Sequence, residues 1–149
     1  MPTNRYIVLR PLVRMVIFCS AMSLVACSFG EVSLPDKATN IAKYIQAAEQ
    51  GDAKAQFNLG RSYDSGEGVE QNHETAVEWY RKAAEQGYSD AQFNLGLSYD
   101  LGEGVEQNHE TAVEWYRKAA EQGYADAQFN LGLSYDSGEG VEQNPETAV

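Results

Sequence analysis

Gln56-Phe57-Asn58-Leu59-Gly60 returns as Gln92-Phe93-Asn94-Leu95-Gly96 and again as Gln128-Phe129-Asn130-Leu131-Gly132, a step of 36 residues. The Gly-Glu-Gly-Val runs that begin at Gly66, Gly102 and Gly138 keep the same step. A period in this range marks a solenoid, in which each unit buries its apolar face only against its neighbours. That favours binding over catalysis before any single residue is weighed.

Within a unit the spacing predicts two helices. Helix A covers about Ala53 to Ser65, with Ala55, Leu59 and Tyr63 on one stripe and Gly60 beside it. An internal glycine costs a helix about 1 kcal/mol relative to alanine, so a repeated one marks a place where another backbone comes close. Helix B covers about His73 to Gln86, with Ala76, Tyr80, Ala83 and Ala84 on its stripe. Gly66 and Gly68 break helix A, Val69 turns inward as a plug, Asn72 is a good N-cap, and Gly87 ends helix B. A first helix from Lys37 to Gln50 aligns with helix B, placing Tyr44 on Tyr80 and Gly51 on Gly87. The expected architecture is all-α, a solenoid of antiparallel helical hairpins: a half-unit at 37–52, full units at 53–88 and 89–124, and an incomplete unit at 125–149.

These residues resemble the Sel1-like repeats, relatives of the tetratricopeptide repeats. The pattern is Ala55-Gln56-Phe57, Leu59-Gly60, Tyr63, Gly66-x-Gly68-Val69, Asn72, Ala76 and then Trp79 to Gly87, over residues 41–149. A plain tetratricopeptide array has a slightly shorter step, and the extra length here falls in the glycine-containing turn. The resemblance implies an α-α superhelix, right-handed, that serves as a protein-binding scaffold in bacterial envelope or signalling assemblies. Some secreted members are cysteine-rich with a bridge in each unit and have reported penicillin binding. This chain lacks those cysteines.

Residues 1–26 read as a signal peptide. Arg5, Arg10 and Arg14 precede a short apolar run from Met15 to Ala26 that ends in small residues. The run is too short to span a bilayer, which needs roughly 20 apolar residues. Leu24-Val25-Ala26-Cys27 resembles the lipobox of bacterial lipoproteins, which implies lipidation at Cys27, with an ordinary cleaved signal as the alternative. Residues 27–36, with Gly30 and Pro35, then form a tether. Ser28 after the cysteine fits sorting to the outer membrane, facing the periplasm, with secretion as the alternative. Cys19 lies within the removed segment, so no disulfide framework is expected. Removal of three arginines takes the balance from 11 basic and 22 acidic residues to 8 and 22, a net −14. A chain this acidic is a poor ligand for nucleic acid, and anionic lipid repels it, so membrane contact is through the lipid anchor only.

Residues 53–88 and 89–124 differ at four positions: Ala53/Ser89, Lys54/Asp90, Arg61/Leu97 and Ser65/Leu101. Lys54, Arg61 and Ser65 fall on one face of helix A, and Phe57 joins them at i+3. In the related tetratricopeptide arrays this face lines the concave groove. The candidate partner surface is therefore Lys54, Phe57, Arg61 and Asp64, then Asp90, Phe93, Leu97, Asp100 and Leu101, then Asp126, Phe129, Leu133 and Asp136. Phenylalanines would act as anchors while charges set register. An exposed face that touches nothing would vary in the same way.

Other motifs fail as chemistry. His73 and His109 invite a metal, but the third copy has Pro145, and a first-helical-position role suits both residue types. Asp64-Ser65-Gly66-Glu67-Gly68 lacks the alternating oxygen ligands of a calcium loop. The same glycines lack the strand and lysine of a phosphate cradle, and no serine, histidine and acid form a recognisable triad. Glu78 and Lys82 at i, i+4 add a few tenths of a kcal/mol. Trp79 and Trp115 are expected to interlock adjacent hairpins. No cofactor or metal is expected. The sequence reads as a non-catalytic scaffold for an unidentified protein partner; the alternatives are an enzyme acting on cell-wall or β-lactam substrates and a secreted host-interaction factor. The break after Val149 predicts a partial reading frame, an intermolecular contact on the face around Leu131 and Tyr135, or fraying.

Overall fold

The computed structural model describes residues 37–142. The signal segment, Cys27, the tether and Pro145 lie outside them. Six helices follow in order among the described residues: α1 Lys37–Glu49, α2 Ala53–Ser65, α3 His73–Glu85, α4 Ser89–Leu101, α5 His109–Glu121 and α6 Ala125–Ser137. Each packs on the next in sequence, so the architecture is an all-α superhelix of antiparallel hairpins. Helix bounds agree with the sequence reading to within a residue, because caps and breakers are local. Asn72 Oδ1 accepts the Thr75 N–H at 2.9 Å, and the Gly66 N–H closes α2 on the Ser62 carbonyl at a left-handed φ of 72°.

The core is a row of small and aromatic side chains shared between neighbours. Ala76, Val77, Tyr80, Ala83 and Ala84 of α3 pack with Phe57 of α2 and with Ala91 and Leu95 of α4. Trp79 lies on the cluster of Ala48, Ala55 and Leu59, so it interlocks hairpins as expected. Lys82, expected beside Glu78, carries its ammonium 3.9 Å from the centre of the Trp79 ring. Lys118 repeats this over Trp115 at 4.0 Å, a cation–π contact that covers the indole from solvent.

The close approach expected at Gly60 comes first from a ring, that of Tyr80, with the Ala76 carbonyl behind it. Tight backbone contact occurs instead at Gly104. It has a φ of 73°, and a Cβ there would collide with the His73 carbonyl at the start of α3. The turn of one unit is thereby seated on the preceding hairpin.

A buried polar relay also joins the units. Gln56 Nε2 donates to the Ala48 carbonyl at 3.1 Å, and Gln56 Oε1 accepts from Gln86 Nε2 at 2.7 Å. Gln92 and Gln122 repeat both bonds at 3.1 and 2.7 Å. Each relay ties the C-terminal end of one helix B to the hairpin that follows, and it satisfies an amide that burial would otherwise penalise.

Candidate interaction surface

Helix A is enclosed on nearly every side, and what remains open is narrow. Of the 13 residues of α2, only Lys54, Arg61 and Ser65 are exposed. These are three of the four positions at which the two full units differ. In α4 the equivalents are half-buried Asp90 and Leu97 and exposed Leu101, and in α6 they are Asp126, Leu133 and Ser137, all exposed. The variable face is therefore the solvent-facing stripe of helix A.

Phe57 and Phe93 do not belong to that stripe. Phe57 is 8% exposed, with Tyr80 and Tyr88 ring centroids 5.9 and 5.3 Å away. Phe93 is held the same way by Tyr116 and Tyr124, at 5.8 and 5.2 Å. Both act as packing within and between hairpins instead of anchors for a partner. Phe129 is 66% exposed, since no helix follows α6 among the described residues. The guanidinium of Arg61 sits 5.9 Å from the Phe57 ring, so the cation caps the buried aromatic.

Asp64 and Asp100 also have internal work. Asp64 Oδ1 lies 2.8 Å from His73 Nδ1, and its Oδ2 accepts from the Tyr80 hydroxyl at 3.3 Å. Asp100 makes the same contacts to His109 and Tyr116 at 2.8 and 3.4 Å. Burial, then the neighbouring carboxylate, pushes the hydroxyls of Tyr80 and Tyr116 well above the ordinary tyrosine range. Asp136 is exposed on α6.

His73 and His109 begin their helices as the sequence predicts. Glu103 of the next turn brings a third group to Asp64 and His73, with ligand atoms within 4.8 Å of one another. The group stands at the positive end of α3, which favours the carboxylates and works against a cation.

Tyr88 and Tyr124 carry no signal in the sequence that marks them out. They occupy the N-cap positions of α4 and α6 without a side-chain cap, where Asp52 caps α2 through the Ala55 N–H. Each gives up a cap to cover a phenylalanine. Burial and then the charge of Asp90 raise the pKa of both hydroxyls. Shallow hollows lie in the two turns, one lined by Tyr63, Val69 and Asn72 and its repeat by Tyr99, Val105 and Asn108. A hollow that recurs with the unit is part of the repeat, not a unique active centre.

The hairpins, their shared joints and the open stripe along helix A define an α-helical repeat solenoid. The Sel1 repeat model matches residues 44–52, 53–88, 89–124 and 125–149, and the chain belongs to the Sel1 repeat family. Repeats of this family generally mediate contacts between proteins.

Solved structures with this fold include a Sel1 repeat protein from Oxalobacter formigenes, 48% identical with a TM-score of 0.70, aligned over 74% of this chain and 46% of that one. A protective antigen present in uropathogenic Escherichia coli strains is 44% identical with a TM-score of 0.70, over 72% of this chain and 23% of that one. Helicobacter pylori cysteine-rich protein B is 29% identical with a TM-score of 0.56, over 58% of this chain and 65% of that one. The chain thus spans less than half the length of the first two. No curated protein matches it significantly.

Proposed function

We propose that the chain is a non-catalytic protein-interaction scaffold, held in the bacterial envelope as a lipoprotein through Cys27. The observation that carries the scaffold reading is where the copies diverge: all three exposed positions of α2, Lys54, Arg61 and Ser65, change in α4, to Asp90, Leu97 and Leu101, and Ala53/Ser89 is the one other difference between the full units. A solenoid that kept its joints and changed chiefly the open stripe of helix A would be retuning contacts. Charge reversal at Asp90 and Asp126 should weaken recovery of a native partner in pull-down, and unchanged recovery counts against the stripe. The enzyme reading calls for turnover on cell-wall or β-lactam substrates by the fragment from Ser28 onward.

Anchoring rests on the leader sequence: a basic start, a short apolar run and Leu24-Val25-Ala26-Cys27. Palmitate labelling should be lost in Cys27→Ala. Ser28 supports outer-membrane sorting, facing the periplasm. One neighbour is described as a protective antigen, which favours a second, host-facing reading. Surface protease digestion of intact cells separates the two, since a periplasmic chain is spared.

A further inference from the structure

The stripe changes character along the array. At α2 it is cationic, with Lys54 and Arg61 exposed. At α4 and α6 the same two positions carry an aspartate and a leucine: Asp90 with Leu97, and Asp126 with Leu133. Leu101 is 55% exposed, so a large aliphatic side chain stands in water where α2 offers only Ser65, and Leu97 and Leu133 put leucine where α2 has Arg61. Large apolar groups left open on a folded surface mark contact sites more often than isolated small ones do.

The acidic half is also assembled with care. Asp90 lies near two aromatic hydroxyls, and its charge acts on both Tyr88 and Tyr124. Asp126 adds a second negative charge near Tyr124. Carboxylates beside aromatic rings suit an arginine or lysine side chain, which gains the ion pair and the ring faces together. On α4, Asp90 and Leu101 stand three turns apart, about 16 Å at roughly 1.5 Å of rise per residue. Acid and leucine are therefore read by different residues of whatever crosses them.

We propose that the stripe takes a polarised peptide segment of a partner protein, with acidic side chains over Lys54 and Arg61 of α2, and aliphatic and basic side chains over Leu97, Leu101 and Leu133 and over Asp90 and Asp126. The proposal rests on the scaffold reading above and specifies its partner. Opposite polarity, or a segment of uniform charge, would set like charges against one end of the stripe.

The test is selection from a phage-displayed library of random peptides on the full chain in detergent. Enriched sequences should carry Asp or Glu toward one end and Leu, Ile or Val with Arg or Lys toward the other. The same selection is run on Asp90→Lys/Leu97→Arg/Leu101→Ser, which gives α4 the residues that α2 already carries, so the hairpin tolerates them. On that variant acidic residues should spread further along the consensus and basic and aliphatic ones should retreat to the end that meets Asp126 and Leu133, and the wild-type consensus peptide should bind about tenfold or more weakly by fluorescence anisotropy. An unchanged consensus on the variant overturns the proposal while leaving the scaffold reading in place. A wild-type chain that enriches no sequence overturns both.

Discussion

Tyr80 lays its ring on the bare Cα of Gly60. A methyl group built there would stand 2.7 Å from Tyr80 Cδ1 and 3.1 Å from the Ala76 carbonyl oxygen. Gly96 and Tyr116 repeat the contact at 2.8 Å. The missing side chain lets a buried tyrosine lie flat in each hairpin, with its hydroxyl reaching the aspartate one turn further along helix A.

Gly60→Ala should therefore destabilise the chain. The substitution gains about 1 kcal/mol of helix propensity but overpacks a closed contact at a cost of about 1–3 kcal/mol. A lower urea midpoint with an unchanged slope is expected. In Gly60→Ala/Tyr80→Leu the two losses should sum to more than the double variant shows, because the ring that clashes is gone.

The glutamine relay predicts an asymmetry. Gln56→Leu removes two bonds at a buried position, leaving the Ala48 carbonyl with the Gly51 N–H alone, and should cost about 1–3 kcal/mol. Gln86 is exposed, so water can replace part of what it provides, and Gln86→Ala should cost about 1 kcal/mol or less. Equal losses in chemical denaturation would contradict a buried relay.

High pH should open the hairpins through Tyr80 and Tyr116. Their folded pKa values are raised, so the folded state holds its phenolic protons more tightly than the unfolded chain. That contribution is fully present below the ordinary tyrosine pKa of about 10 and is lost progressively above it. Helical circular dichroism should fall as pH rises past that point. In Tyr80→Phe/Tyr116→Phe the fall should begin at higher pH, since neither ring can ionise.

His73→Pro should be tolerated. The ring would stand at the first helical position, after Asn72 in an extended conformation with φ −155° and ψ 100°, both suited to proline. The Asp64 contact is lost, but its partners are about 40% exposed, so the expected cost is below about 1 kcal/mol. Thermal unfolding of the variant measures it.

The helices and their ends are legible in the sequence because their signals are local: an asparagine cap, a glycine exit and a stripe of alanines, all inside a single helix. The open stripe is legible too, through comparison of the copies. Phe57 falls off that stripe for a geometric reason. It lies about 60° round the helix from Lys54, and spacing does not distinguish the margin of a face from its centre. What decides is Tyr88, which stands beyond the whole of α3 in the chain and carries no local signature of covering a phenylalanine. Asp64 reads as a surface charge for a similar reason, since its bonds to His73 and Tyr80 exist only once the hairpin closes.

Gly104 against His73 and Gln92 against Ala84 are contacts between residues of consecutive copies, and each joint is written wholly within one repeat step. A gene duplication or deletion of that length therefore creates or removes one whole joint and leaves the others unchanged. The length of the array can drift between related strains by recombination alone, adding or subtracting one segment of open stripe each time.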